Sequence, residues 1–301
     1  MSELERSGQA SGGDVRVSEG SSPEKHPNIE RSDLTPREIG PGETEIIFQR
    51  HGKYERDKES DQAGKLTETA REKEARADED FIRKQLENVP EEERGKVRFL
   101  FVGSDTKYQE GQRSLETSNI FLDTTRKILG EYGLDQSQVL NNSPHIKGGE
   151  ETRPMSLIRE PKMFDESWDY VQFLKEKYDK DGEGLGKGFW VAFEEDVEKE
   201  EREKRGAEGP DGLADRLQRS LAIFSRFARF YHSKHEDERL IIVATTHYDT
   251  ISPFVKREVY RSDMRDYVGV DYGSGIVIKQ DRVGRVDTII GGRKYMLPEQ
   301  V

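Results

Sequence analysis

Thr44-Glu45-Ile46-Ile47-Phe48-Gln49-Arg50-His51-Gly52 is the stretch on which the fold turns. Ile46, Ile47 and Phe48 stand in succession within a short run. Such a run suits a β-strand covered on both faces, as in a parallel sheet flanked by helices. The strand feeds directly into His51-Gly52, with Arg50 beside the histidine.

Outward from that strand, the chain alternates. A polar loop leads to Thr67, which can cap a helix from about Glu68 to Leu86. The apolar stripe of that helix is weak, so much of it is expected to face water. A second strand is expected at Lys96–Val102, and a helix from about Gln112 to Tyr132. Residues 141–167 read mostly as a long loop, with a short strand near Met155–Ile158. Trp168–Tyr178 reads as helical. Four glycines at 182, 184, 186 and 188 then interrupt regular structure. A charge-rich run from Glu194 to Gly212 reads as an exposed helix or flexible insertion. From Leu213, the apolar residues Leu217, Leu221, Phe224, Ala228 and Tyr231 recur at helical spacing on one face. Leu240–Thr245 is a further strand, followed at once by Thr246-His247. A short helix is expected after Pro253, and a β-hairpin from GSGIVIKQ and RVDTIIGG around Asp281. Strands alternating with helices favour a layered α/β domain. The expectation is a three-layer α/β/α sandwich with a mainly parallel central sheet, a C-terminal hairpin and no second core.

Composition bounds the rest. In 301 residues, 61 acidic side chains outnumber 49 basic ones, for a formal charge of -12. That balance gives no general attraction to nucleic acid or an anionic membrane, so neither is expected as a partner. The absence of cysteine excludes disulfides, thiol nucleophiles and cysteine-based metal sites. No apolar run approaches the roughly 18 residues of a membrane span, and the N-terminus lacks a signal-peptide pattern. A cytoplasmic location is expected. Residues 1–42 read as a flexible tail, 43–301 as one domain, and about 180–212 as a charged insertion within it.

Two histidines follow strands in this reading, His51 and His247. If both strands are central and parallel, their carboxyl ends lie together, where α/β folds gather ligand-binding loops. Arg50 and Arg113 carry the planar guanidinium that grips phosphate oxygens. A neutral His51 could attack phosphorus, and His247 could hydrogen-bond a phosphoryl oxygen as charge gathers there. A protonated carboxyl group would supply the leaving alcohol's proton.

These motifs together resemble the histidine phosphatase superfamily, which includes the cofactor-dependent phosphoglycerate mutases. Phe48-Gln49-Arg50-His51-Gly52 is similar to its signature strand and R-H-G motif. Gly64-Lys65-Leu66-Thr67 resembles its G-x-L-T segment. Arg113 and Thr117 keep the R-x-x-x-T spacing, and IIVATTHYDT resembles its late strand and histidine. The resemblance runs from about Thr44 to Gly292. It implies a nucleophilic His51, phosphate binding by Arg50, Arg113 and His247, and no cofactor or metal. It also implies a glutamate proton donor between the second arginine and the late histidine. Glu160 fits best, with Glu150, Glu151, Asp165, Glu166 and Asp249 as competitors.

The chain departs from the pattern in two places. His247-Tyr248-Asp249 stands where many members have His-Gly, and Tyr248 could shape the pocket mouth. Lys53-Tyr54-Glu55-Arg56 replaces the E-S-x-W-N that mutases carry after R-H-G. The second departure favours a metal-independent phosphatase over a phosphoglycerate mutase-like transferase. A non-catalytic phosphate sensor or protein-binding scaffold is the alternative from another class. The expected substrate is a phosphorylated small molecule or a phosphoprotein, and homo-oligomerisation is left open. His232 and His235 lack an accompanying carboxylate cluster, and no P-loop or dinucleotide fingerprint is present.

Overall fold

The computed structural model describes residues 28–56, 60, 62–108, 111–142, 151–179, 185–261 and 268–298. Seven strands form one sheet: β1 (Thr44–Arg50), β2 (Val97–Ser104), β3 (Arg153–Met155), β4 (Arg239–Thr246), β5 (Gly275–Gln280), β6 (Val286–Ile290) and β7 (Arg293–Met296). Their order is β3-β2-β4-β1-β5-β6-β7. The first four in that order are mutually parallel, and β5, β6 and β7 add as antiparallel ribbons. This is the expected mainly parallel sheet with a C-terminal hairpin, extended by one strand, β7.

The period-two alternation of side chains divides the core. Ile46, Phe48, Leu100, Val102, Ile242 and Ala244 face one layer. It is formed by α7 (Pro210–His232) and α8 (Tyr248–Phe254). Ile47, Phe99, Phe101, Ile241 and Val243 face the other. There lie α1 (Glu68–Glu87) and α2 (Arg113–Glu131). Every residue of β4 is buried, as a strand covered on both faces requires. The molecule is therefore the three-layer sandwich expected. Thr67 caps α1, accepting a hydrogen bond from the amide of Ala70 at 3.2 Å.

Several expectations need correction. Residues 28–42 are packed, whereas 1–27 lie outside the described residues. Ile29 bridges to Val270, and Ile29 and Ile39 are fully buried. Each is isolated in sequence, so no local pattern marks it, yet each fills a slot made by distant elements. Second, a small separate core exists. It packs α3 (Met163–Glu166), α4 (Trp168–Tyr178) and α5 (Lys187–Glu194) through Met163, Tyr170, Leu174, Phe189 and Phe193. The segment read as a charged insertion thus carries an aromatic helix, and only α6 (Lys199–Lys204) has no buried residue. Third, the helix near Pro253 begins before the proline, at Tyr248, and passes into a wider-wound turn over Val255–Tyr260. A proline within a helix removes one backbone donor, and wider turns accompany such breaks. As expected, much of α1 faces water, and its inward face is partly polar, with Glu74, Asp78 and Gln85 buried beside Phe81 and Ile82. Gly182 and Gly184 lie outside the described residues.

Candidate active site

Register brings the two histidines together. Arg50 of β1 pairs with Thr246 of β4, so the next residues, His51 and His247, leave the sheet side by side. Gly103 of β2 pairs with Thr245, which delivers Ser104 to the same end. Gly103 is needed there, because a Cβ would sit 2.9 Å from the Leu115 side chain of α2. The close approach aims the first turn of α2, with Arg113, Ser114 and Thr117, at the sheet's carboxyl end.

His51 is buried, and its ring centroid lies 5.1 Å from that of His247. Its Nδ1 is 2.7 Å from the carbonyl oxygen of Gly52. A carbonyl only accepts, so Nδ1 carries the proton and Nε2 carries the lone pair. Arg113 Nε donates to that Nε2 at 3.1 Å. Burial, then the positive charge of Arg113, holds the His51 pKa well below the usual imidazole range. His51 is therefore neutral at pH 7. The loop is fixed by the amide of Gly52, which donates to Thr117 Oγ1 at 3.0 Å.

His247 Nε2 lies 3.1 Å from Ser104 Oγ and 3.2 Å from Ser114 Oγ. Burial, then Arg113 and Arg50, likewise depresses its pKa. Glu160 Oε2 accepts from Arg113 Nη2 at 2.6 Å and lies 3.9 Å from His247 Nδ1. Burial raises the Glu160 pKa, against the opposing pull of Arg113. Arg50 is stacked between two rings, 3.7 Å from the Tyr272 centroid and 4.8 Å from that of Tyr248. Arg113 lies 4.4 Å from the centroid of Tyr54. Arg50 Nε and Arg113 Nη1 are buried donors with no hydrogen-bond partner among the described residues.

All five residues read from the sequence, Arg50, His51, Arg113, Glu160 and His247, thus meet in one place. Three of the competing carboxylates lie apart from this place, and Asp249 stays beside it. Glu151, Asp165 and Glu166 are exposed, and Glu150 lies outside the described residues. Asp249 is buried in the first turn of α8, where burial and the neighbouring Glu160 push its pKa up to about 8. The Tyr248 ring lies against Arg50 and packs on Trp190 of α5, with ring centroids 4.6 Å apart.

Sequence reasoning missed the side chains that brace the loop carrying Glu160. Arg216 of α7 donates to the backbone oxygen of Glu160 at 3.2 Å and is held by Glu208 at 2.8 and 2.9 Å. Glu208 also accepts from the amide of Lys162 at 3.1 Å. A side chain from the charge-rich segment therefore braces the loop that carries Glu160. Tyr272, Ser104 and Ser114 were also missed. Arg216 was hinted at by a charge near the inward stripe of an otherwise apolar helix face. Tyr272 had no local signal.

Elsewhere, His232 Nε2 is bonded to Thr44 Oγ1 at 2.9 Å, and His235 stacks on Tyr231. No group of three or more metal-ligating side chains occurs among the described residues. Nor, among them, is any helix long and apolar enough to cross a membrane. His26 and His145 lie outside the described residues.

No family model matches the chain, and no curated protein matches it. Several solved structures are similar to it in fold. Phosphoglycerate mutase from Bacillus anthracis str. Sterne is 16% identical, with a TM-score of 0.44 over 85% of this chain and 96% of that one. YhfR of Bacillus stearothermophilus is 16% identical, with a TM-score of 0.43 over 83% and 96%. A mycobacterial glucosyl-3-phosphoglycerate phosphatase is 16% identical, with a TM-score of 0.43 over 82% and 97%.

Proposed function

We propose that the protein hydrolyses phosphomonoesters through a phosphohistidine formed on Nε2 of His51. One observation carries the reading. A neutral imidazole, its lone pair fixed by the Nδ1 contact to Gly52, lies beside two guanidinium groups with unpartnered buried donors. Leaving such a donor unpaired costs about 1–3 kcal/mol, which an incoming phosphoryl oxygen would recover.

In the first step, the Nε2 lone pair forms the N–P bond while the P–O bond to the leaving alcohol breaks. The departing oxygen takes the proton of Glu160, leaving its carboxylate. Arg50, Arg113 and His247 hold the three phosphoryl oxygens, where charge builds in the transition state. Before reaction, Arg113 donates to both His51 and Glu160. A phosphate dianion competes for those donors. As it takes them, it withdraws the charge that holds the Glu160 pKa down and adds repulsion of its own, so the pKa rises and protonation of Glu160 is favoured. In the second step, Glu160 takes a proton from water. The water oxygen attacks phosphorus, the N–P bond breaks, and inorganic phosphate leaves with His51 restored. All the groups in these steps are side chains of this chain and water.

The test is phosphate release from a panel of aryl, sugar and peptide phosphates by wild type and His51→Ala. His51-dependent release supports the reading. Equal release by both proteins overturns it, and transfer to a second alcohol without free phosphate assigns a mutase instead.

A further inference from the structure

The turn at residues 269–274, just before β5, touches Arg50 on several sides. Arg50 Nη1 donates to the backbone oxygen of Val270, and the Tyr272 ring centroid lies 3.7 Å from the guanidinium. The Arg50 amide donates to the backbone oxygen of Ser274 at 2.7 Å. The Gly273 amide in turn donates to the carbonyl oxygen of His51 at 3.3 Å. The direction in which Arg50 points is therefore set by this turn.

The turn is itself tied down by the segment that precedes β1. The Ile29 amide donates to the oxygen of Gly269 at 2.8 Å. The Ile29 oxygen accepts from the Asp271 amide and from Ser274 Oγ, each at 3.1 Å. Two residues further on, Arg31 donates to the backbone oxygen of Gly273. The same guanidinium pairs with Glu74 at 2.6 Å and with Asp78 at 3.3 Å. These carboxylates stand one turn apart on the inward face of α1, and among the described residues no other cation pairs with either. Gln49 Nε2 lies 3.4 Å from both Glu74 Oε2 and the Gly273 oxygen. Gly273 has a φ of +70°, and a Cβ there would overlap Arg31 and Glu74, so the turn closes directly on this cluster.

A guanidinium suits the place, because its planar fork of five donors can serve three acceptors at once. Two buried carboxyl groups hold Arg31, and Arg31 holds the turn. Among the described residues its hydrogen bonds reach none of His51, Arg113, Glu160 and His247. Its influence on the site therefore passes through the turn.

We propose that Arg31 is a positioning residue: by clamping the Gly273 turn to α1, it aims Arg50 at the phosphoryl oxygens. The role rests on the phosphatase reading above. It makes the segment before β1 a working part of the enzyme.

The experiment is a double-mutant cycle of wild type, Arg31→Met, Arg50→Met and the double variant. It reads kcat and KM on an aryl phosphate, calorimetric binding of inorganic phosphate, and thermal melts. Arg31→Met should lower kcat/KM and phosphate affinity about tenfold beside Arg50, and less than about twofold once residue 50 is methionine. Equal losses in both backgrounds, or no loss in either, overturn the positioning role. Arg31→Lys keeps a charge beside Glu74 and Asp78 but not the fork. It should melt like wild type and still lose about threefold to tenfold, with the same dependence on Arg50. That cycle decides if the methionine variant does not fold, and a folded lysine variant with wild-type kcat/KM also overturns the role. Arg50-dependent loss of phosphate binding, with no turnover by wild type, keeps the role and removes the phosphatase reading. His51-dependent turnover with additive Arg31 and Arg50 effects does the reverse. Wild type that neither binds phosphate nor turns over a phosphoester overturns both.

Discussion

Arg113 is the side chain on which the proposed chemistry depends most, and two replacements separate its charge from its shape. Arg113→Met removes the donor to His51 Nε2 and the partner of Glu160. On a bound phosphoryl group, these would become two charge-assisted hydrogen bonds, each about 1.5–3 kcal/mol. The expected loss in kcat/KM is about 10²- to 10⁴-fold. Arg113→Lys keeps the charge but loses the planar fork, so its loss should be about 10- to 10²-fold.

The pH profile carries the sharper information. Turnover needs His51 neutral and Glu160 protonated. Arg113 lowers the pKa of both groups. Without its charge both pKa values rise, so the acid and alkaline limbs both move to higher pH. The lysine variant should leave the limbs near their wild-type positions. The assay is the pH dependence of kcat/KM on an alkyl phosphate for the three proteins. A methionine variant that loses rate with unmoved limbs would refute the electrostatic role. So would a lysine variant whose limbs move as far as those of methionine. Arg113→Met also leaves Glu160 buried without its cation, at about 3–5 kcal/mol if the carboxylate stays charged. Thermal melts should therefore accompany the kinetics, and Arg113→Met with Glu160→Gln should regain most of the lost stability.

Glu160→Gln should lower kcat on alkyl phosphates about 10²- to 10⁴-fold but much less on a nitrophenyl ester, whose leaving group needs no proton. Equal losses on both esters would remove Glu160 as donor. Arg216→Met should give a weaker copy of that pattern, roughly threefold to tenfold on alkyl phosphates with KM little changed, because it loosens the loop under Glu160. An identical effect on both esters would mark it as structural only. Burial pushes the Glu45 pKa from 4.5 up to about 8. Below about 4.5, both the folded and unfolded forms carry the proton. As pH rises through 8, the unfolded form releases its proton first and stability falls. Glu45→Gln should flatten that fall and leave the variant roughly 2–4 kcal/mol more stable than wild type at pH 8, read by denaturant melts. A wild-type stability that does not decline between pH 5 and 8 would contradict it.

What could be read from the sequence was set by locality. The run Ile46–Phe48 and the strand before His247 state their own burial, and two strands of a parallel sheet must share their carboxyl ends. Placing Arg50, His51 and His247 together followed from that. Arg113 and Glu160 followed from spacing and resemblance, and burial sets Glu151, Asp165 and Glu166 apart while leaving Asp249 beside Glu160. Ile29 and Ile39 gave no signal, because their slots are built by residues more than 200 positions away or by a different layer. The aromatic residues of α5 were hidden by the charged run that follows them. Glu208 and Arg216 act through the backbone of a distant loop, a contact no spacing rule predicts. Tyr272 comes from a turn and acquires its place over Arg50 only when β5 docks beside β1.

The central claim is a covalent bond between phosphorus and His51 Nε2, and trapping it is the direct measurement. Wild-type protein mixed with an activated phosphoester should be quenched in base within milliseconds, since phosphohistidine survives base and decays in acid. Peptide mass spectrometry should then find one phosphoryl group on His51, formed and lost at rates compatible with turnover and absent from His51→Ala. Steady phosphate release with no phosphoryl group on His51 at any quench time would contradict the account.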